Sequence, residues 1–304
     1  SSDPQTLYGS YQYLGLQRSE NGGDTFYDAQ PPEQSADNTA FVAPFVLSPS
    51  DPDVLYAGRS LVYRSENQGR NWSATNNGDP LDGSNPVFAM DISPTDSAVV
   101  YVATAPVDSR GRIFATWDAG DQWTDITNNL PDLFPSDVTI NPLDSDQVYV
   151  TFMGYENSHV FRTDDGGDSW LDLSSGLPDV PVSAVILDPL NTDIVYVGTD
   201  LGVFVSENQG LGWEPFMTGM PTAMVIDLKV FEPGRLLRAA THGNGVFQRP
   251  LLGETPQPTA TVKINYGVEL ALRDSHLTPG ETFRLGVILY NDGATRTDVP
   301  FFCI

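Results

Sequence analysis

Three histidines, one cysteine and 40 carboxylates are the groups of this 304-residue chain best suited to chemistry. His159, His242 and His276 lie far apart, and none opens a His-x-x-x-His pair. A lone Cys303 supports neither a disulfide within the chain nor a Cys-based metal site. No Gly-x-Ser-x-Gly elbow, Walker loop or dinucleotide fingerprint is present. His159, in Ser158-His159-Val160-Phe161, reads as a hydrogen-bonded hairpin residue, and His242-Gly243-Asn244-Gly245 reads as a tight turn. Acyl transfer, zinc hydrolysis and phosphate cradling therefore have no constellation to work with.

Glycoside hydrolysis needs two carboxylates about 5–10 Å apart, one of them protonated. With so many acidic residues, spacing along the chain cannot single out a pair. Binding a sugar carboxylate would need clustered arginines, for which Arg59, Arg112 and Arg238 are the candidates, near the second strands of their units or the loops that follow them. Asp51-Pro52-Asp53 and Asp144-Ser145-Asp146 could each feed a calcium site, but neither has an EF-hand's ligand count, and Asp-Pro turns need no metal. The expectation is no catalytic residue, no metal and no cofactor.

The elements that must position these groups announce themselves by repetition. A short apolar run, a Ser/Asn/Asp-Pro turn and an aliphatic-Tyr strand recur at Val46–Tyr56, Ile92–Tyr101, Ile140–Tyr149 and Leu187–Tyr196. A degenerate copy spans Val230–Arg238, and Ser2–Tyr8 carries the phrase without its opening strand. After each of the first five comes an eight-residue element: Ser19–Phe26, Ser65–Trp72, Thr116–Trp123, Thr163–Trp170 and Ser206–Trp213. Successive starts are 46, 51, 47 and 43 residues apart, a period that suits four short strands per unit. Val, Ile, Tyr and Phe in runs bounded by Pro, Gly, Asn and Asp predict strands, and no useful helical periodicity appears.

Each position of the eight-residue element has a physical reason. Position one is Ser19, Ser65, Thr116, Thr163 or Ser206; position three is Asn21, Asn67, Asp118, Asp165 or Asn208. A short polar side chain there folds back onto backbone amides of the turn. Gly23, Gly69, Gly120, Gly167 and Gly210 at position five permit a positive φ. Phe26, Trp72, Trp123, Trp170 and Trp213 close the element and bury a ring between neighbouring sheets.

The pattern resembles the Asp-box, or BNR repeat, of sialidases, sortilin-type receptors, xyloglucan-cleaving glycoside hydrolases and photosystem-assembly propellers. The resemblance covers roughly residues 1–250 and implies a β-propeller with structural boxes on the hairpins of its rim, away from any active centre. Asn replaces Asp at 21, 67 and 208, and Asn71 and Gln122 replace the usual Ser/Thr. The Arg-Ile-Pro strand that opens sialidase propellers is absent.

The chain is thus expected to be all-β: a propeller of four-stranded blades, with about six repeats, over 1–252. Unit one has its second to fourth strands, units two to five are complete, and unit six has its first three. An upstream segment could close a six-bladed ring, or whole blades upstream could make a larger one. Residues 253–260 read as a Pro/Thr linker. Residues 261–304 resemble the opening hairpins of an Ig-like bacterial surface module through Pro279-Gly280-Glu281-Thr282-Phe283 and the strand after it. Both ends read as cuts in a longer protein.

Forty acidic against 15 basic residues give a net charge of −25, which repels nucleic acid and anionic lipid. No run approaches the roughly 20 apolar residues that cross a bilayer. Two functions fit: a non-catalytic extracellular or cell-surface module recognising protein or polysaccharide, with self-assembly as an option, or one half of a two-propeller glycoside hydrolase.

Overall fold

A computed structural model describes residues 5–33 and 37–253. Six antiparallel sheets follow one another in chain order around a central channel, making a six-bladed β-propeller. Blade 1 holds β1 (Leu7–Tyr11), β2 (Gly15–Ser19) and β3 (Tyr27–Asp28). Blade 2 holds β4 (Phe45–Leu47), β5 (Leu55–Gly58), β6 (Val62–Ser65) and β7 (Ser73–Ala74). Blade 3 is β8 (Val87–Ile92), β9 (Val100–Thr104), β10 (Ile113–Thr116) and β11 (Thr124–Asp125). Blade 4 is β12 (Phe134–Asn141), β13 (Asp144–Met153), β14 (Val160–Thr163) and β15 (Leu171–Asp172). Blade 5 is β16 (Val182–Asp188), β17 (Asn191–Thr199), β18 (Gly202–Ser206) and β19 (Glu214–Pro215). Blade 6 is β20 (Val225–Phe231), β21 (Leu236–Thr241) and β22 (Gly245–Pro250). The complement of three, four, four, four, four and three strands is the one the repeats predict. The Ig-like reading of 261–304 lies outside the described residues.

The second strand of each complete blade is apolar on both faces because it is covered by the blades on either side. Tyr56, Tyr101, Tyr149 and Tyr196 are fully buried there. Apolar layers fill the spaces between blades; the one between blades 3 and 4 includes Tyr101, Ile113, Val138, Phe152 and Trp170.

Two kinds of polar bond cross these layers. The indoles of Trp72, Trp123, Trp170 and Trp213 donate to Ala29 O, Thr75 Oγ1, Ile126 O and Leu173 O of the preceding blade, at 2.7–3.1 Å. The phenols of Tyr8, Tyr56, Tyr101 and Tyr149 donate to Gln68 O, Ser97 O, Ser145 O and Gln209 O of the following blade, at 3.0–3.3 Å. Tyr196 Oη accepts the Leu252 amide at 2.7 Å. Burial pushes the phenols of Tyr56, Tyr149 and Tyr196 up to about 12, so they remain protonated at every physiological pH, Tyr56 and Tyr149 as donors. Blade 1 has Phe26, which lacks an indole N–H, where blades 2 to 5 have Trp. In blade 6 the repeat places Arg238 where the others have Tyr, and it stacks on the Phe231 ring at 4.4 Å.

Candidate functional site

The inner strands β4, β8, β12, β16 and β20 leave a channel in two halves of about 280 and 290 Å³. Where these strands begin, the mouth is lined by Val42, Phe88, Ser136, Asp137, Ser183, Ile226 and Asp227. Toward the opposite end, where these strands finish, Asp91, Thr139, Lys229 and Glu232 line the channel.

Asp91 and Asp137 interrupt otherwise apolar strands, and each ties two blades together. Asp91 accepts the Ile92 amide at 2.9 Å and, across the blade boundary, the Ile140 amide at 2.8 Å. Asp137 accepts the amides of Val138 and, in blade 5, Val185, both at 2.9 Å. Burial raises Asp91 to about 6 and Asp137 to about 7, against the opposing pull of those amides and of Lys229. Such carboxyls can take up or release a proton near neutrality. The hydroxyls beside them are committed to backbone: Ser136 donates to Val182 O and Ser183 to Val225 O. The mouth therefore presents acceptors rather than donors.

Next to it stands an aromatic ledge. The β1–β2 hairpin turns through Tyr13 and Leu14, both at φ +59°, a left-handed conformation that non-glycine residues resist. Leu14 is held there by full burial against Ala43 and Ala57. Tyr13 consequently projects outward, 59% exposed, and packs edge-on to Phe41 with ring centres 5.5 Å apart. The Tyr13 amide also donates to Phe41 O at 3.1 Å. Tyr11 lies over Gly15, where a Cβ would fall 2.2 Å from its ring. Val42, 71% exposed, runs from Phe41 into the mouth.

The residues singled out from sequence lie elsewhere. The five eight-residue turns join the third and outermost strands and share one hydrogen-bond pattern. The hydroxyl at position one accepts the position-five glycine amide at 2.8–2.9 Å. It donates to the position-three side chain in every copy: Asn21, Asn67, Asp118, Asp165 and Asn208. Gly23, Gly69, Gly120, Gly167 and Gly210 have φ between +77° and +102°. Asn therefore does the same work as Asp, because only its carbonyl oxygen is needed. Hydrogen bonds from Ser169 and Thr163 hold Asp165 down to about 2.

Asp51 and Asp144 accept the Asp53 and Asp146 amides, the ordinary duty of an Asx turn. His159 is buried beside exposed Asp179, Nε2 to Oδ1 3.0 Å, and that bond holds the Asp179 carboxyl below its ordinary value. His242 lies in the turn between β21 and β22, and His276 lies outside the described residues. The arginines do not converge. Arg59 is buried against Asp37 at 3.5 Å, itself bonded by the Tyr63 phenol at 2.7 Å. Arg112 is half-exposed between Asp82 and Asp125, and Arg238 stacks on Phe231. Sequence reasoning missed Asp91, Asp137, Tyr13 and Phe41. For the aspartates the signal was a charge inside an apolar run, Met90-Asp91-Ile92 and Ser136-Asp137-Val138.

No family model matches the chain, and no curated protein matches it. Solved structures do. A GH74 enzyme from Niastella koreensis superposes with a TM-score of 0.62 at 18% identity, over 83% of this chain and 44% of that one. YCF48 from Cyanidioschyzon merolae gives 0.56 at 14% identity, over 83% and 80%. The extracellular domain of a hybrid two-component system from B. thetaiotaomicron gives 0.54 at 14%, over 80% and 31%. The chain spans less than half the length of the GH74 enzymes it resembles. At these identities the likeness is one of fold: this six-bladed β-propeller superposes on part or most of each of these proteins.

Proposed function

We propose that this propeller is a non-catalytic binding module of a larger secreted or cell-surface protein, and that it recognises a protein or glycan at the channel mouth. One observation carries the reading: exposed Tyr11 and Tyr13 stand on a strained hairpin anchored by buried Leu14, and exposed Phe41, in the loop that leads into β4, packs on Tyr13 beside the mouth. Large apolar rings held rigidly in water are a feature of recognition surfaces. The turns at Ser19–Phe26, Ser65–Trp72, Thr116–Trp123, Thr163–Trp170 and Ser206–Trp213 are read as Asp-boxes, structural throughout. Residues 1–252 form the propeller unit, 253–260 a linker and 261–304 the start of an accessory Ig-like module. The extracellular-domain and GH74 neighbours agree with a secreted or surface location, and self-assembly through the same face is compatible with it.

A second reading, glycoside hydrolysis, is favoured by Asp137, whose carboxyl retains its proton to about pH 7, and by the GH74 neighbours. The test is incubation with xyloglucan and a panel of plant and host glycans, followed by assay of new reducing ends. The binding module releases none above a blank. Release that Asp137→Asn abolishes would establish the hydrolase instead.

A further inference from the structure

The chemistry of the mouth is lopsided. Asp137 and Asp227 line the mouth with no cation among its described lining residues, and Asp91, Lys229 and Glu232 line the other half of the channel. Lys229 lies 3.7 Å from Asp227 and is 72% exposed, so it neutralises little. Ser136 and Ser183 already donate to backbone carbonyls. A sugar needs acceptors and donors in comparable number around each hydroxyl. An ammonium or guanidinium needs acceptors alone. The ledge supplies what the flanks of such a group require: the Tyr13 and Phe41 rings for cation–π contact and stacking, and Val42 and Ile226, 71% and 49% exposed, for apolar neighbours. The net charge of −25 draws a cationic partner toward every face, and this face adds a ledge of exposed rings, Tyr13 and Phe41, beside the acidic mouth of a channel.

We propose that the ledge and mouth bind a cationic polypeptide segment, with a Lys or Arg directed to Asp227 and Asp137 and an adjacent apolar side chain laid on Tyr13, Phe41 and Val42. This rests on the binding-module reading above and specifies its partner. A cation beside Asp137 favours the ionised carboxylate, so complex formation releases a proton and the affinity rises with pH through 6–7. Asp91, Asp227, Lys229 and Glu232 are the other titratable groups on the channel wall; the three carboxylates act in the same direction and Lys229 opposes them.

The test is calorimetric titration with a hexapeptide of alternating lysine and leucine. The expected result is saturable binding that strengthens from pH 5.5 to pH 8. Phe41→Ala and Tyr13→Ala should each weaken it roughly tenfold with unchanged melting curves; Phe41→Ala leaves the strained turn intact if Tyr13→Ala disturbs it. Asp227→Asn should weaken binding several-fold and flatten its salt dependence, while Glu207→Gln, on an exposed turn far from the mouth, should change it less than about twofold. Three results would overturn the proposal: no heat of binding, equal affinity for alternating lysine and serine, or Glu207→Gln acting as strongly as Asp227→Asn. A xyloglucan heptasaccharide binding at Phe41 in place of the peptide would sink the cationic partner but leave the binding module standing. Only glycan hydrolysis removes both.

Discussion

The outer turns and the channel mouth of this propeller are built on opposite principles. Each outer turn repeats the same residues, hydrogen bonds and left-handed glycine five times, and four closing tryptophans bond to the preceding blade. The mouth repeats only in part: Asp137 and Asp227 each follow the bulge of their strand, and Ser136 and Ser183 make the same bond to the next blade, but Asp91 lies further along its strand and the Tyr13–Phe41 ledge occurs once. Repetition marks what every blade needs in order to stand beside its neighbour. Departure from it marks where the molecule meets something else. Substitutions in the turns should therefore move stability and leave recognition alone, and substitutions at the ledge should do the reverse.

The largest effect is expected at Trp213, which is 7% exposed and donates to Leu173 O at 2.7 Å. Trp213→Ala should cost about 3–5 kcal/mol in chemical denaturation, against under about 0.5 kcal/mol for Phe41→Ala. Comparable losses for the two would erase the distinction. Next come the glycines. Gly210 has φ +94°, and a Cβ there would lie 2.6 Å from Leu173 Cδ1. Gly210→Ala should cost about 2–3 kcal/mol, whereas Gly243→Ala, at φ +86° with open space around it, should cost about 1 kcal/mol. Thermal melts of the pair separate backbone strain from crowding.

The Tyr149 phenol reaches the next blade at Gln209 O. Tyr149→Phe should lose about 1 kcal/mol, measured by urea denaturation. The least effect on stability belongs to the channel carboxylates, which channel water partly screens. Unfolded, each titrates near about 3.9; folded, Asp91 titrates near about 6 and Asp137 near about 7. The fold binds the extra protons, so this contribution is full below about pH 4 and disappears as pH rises through 7. Asp137→Asn should flatten the decline in melting temperature between pH 5 and pH 8. A steeper decline in the variant would contradict the assignment.

Much of the fold was legible because propeller blades write their geometry locally. The Pro turns, the buried tyrosines and the eight-residue turns recur at near-constant spacing, so the strand complement of every blade could be counted. The cross-blade role of the tyrosines was missed: their recurrence was visible, but their partners lie 41–60 residues away. The site was scarcely legible. Tyr13 and Phe41 meet through a loop that no repeat predicts. The basicity of Asp137 comes from burial between blades, against the opposing pull of the Val185 amide, not from its neighbours in sequence. Arg59, Arg112 and Arg238 looked alike as candidates, yet one is buried against Asp37, one bridges buried Asp82 and exposed Asp125, and one lies on a ring.

The most direct test of the division between turns and mouth is amide hydrogen exchange with and without the lysine–leucine hexapeptide. Protection is expected to rise in 11–15, 41–44 and 224–228, the hairpin, ledge and innermost strand of blade 6, with no change in the turns at 65–72 and 206–213. Protection appearing in those turns, or spread evenly over the acidic surface, would contradict the account.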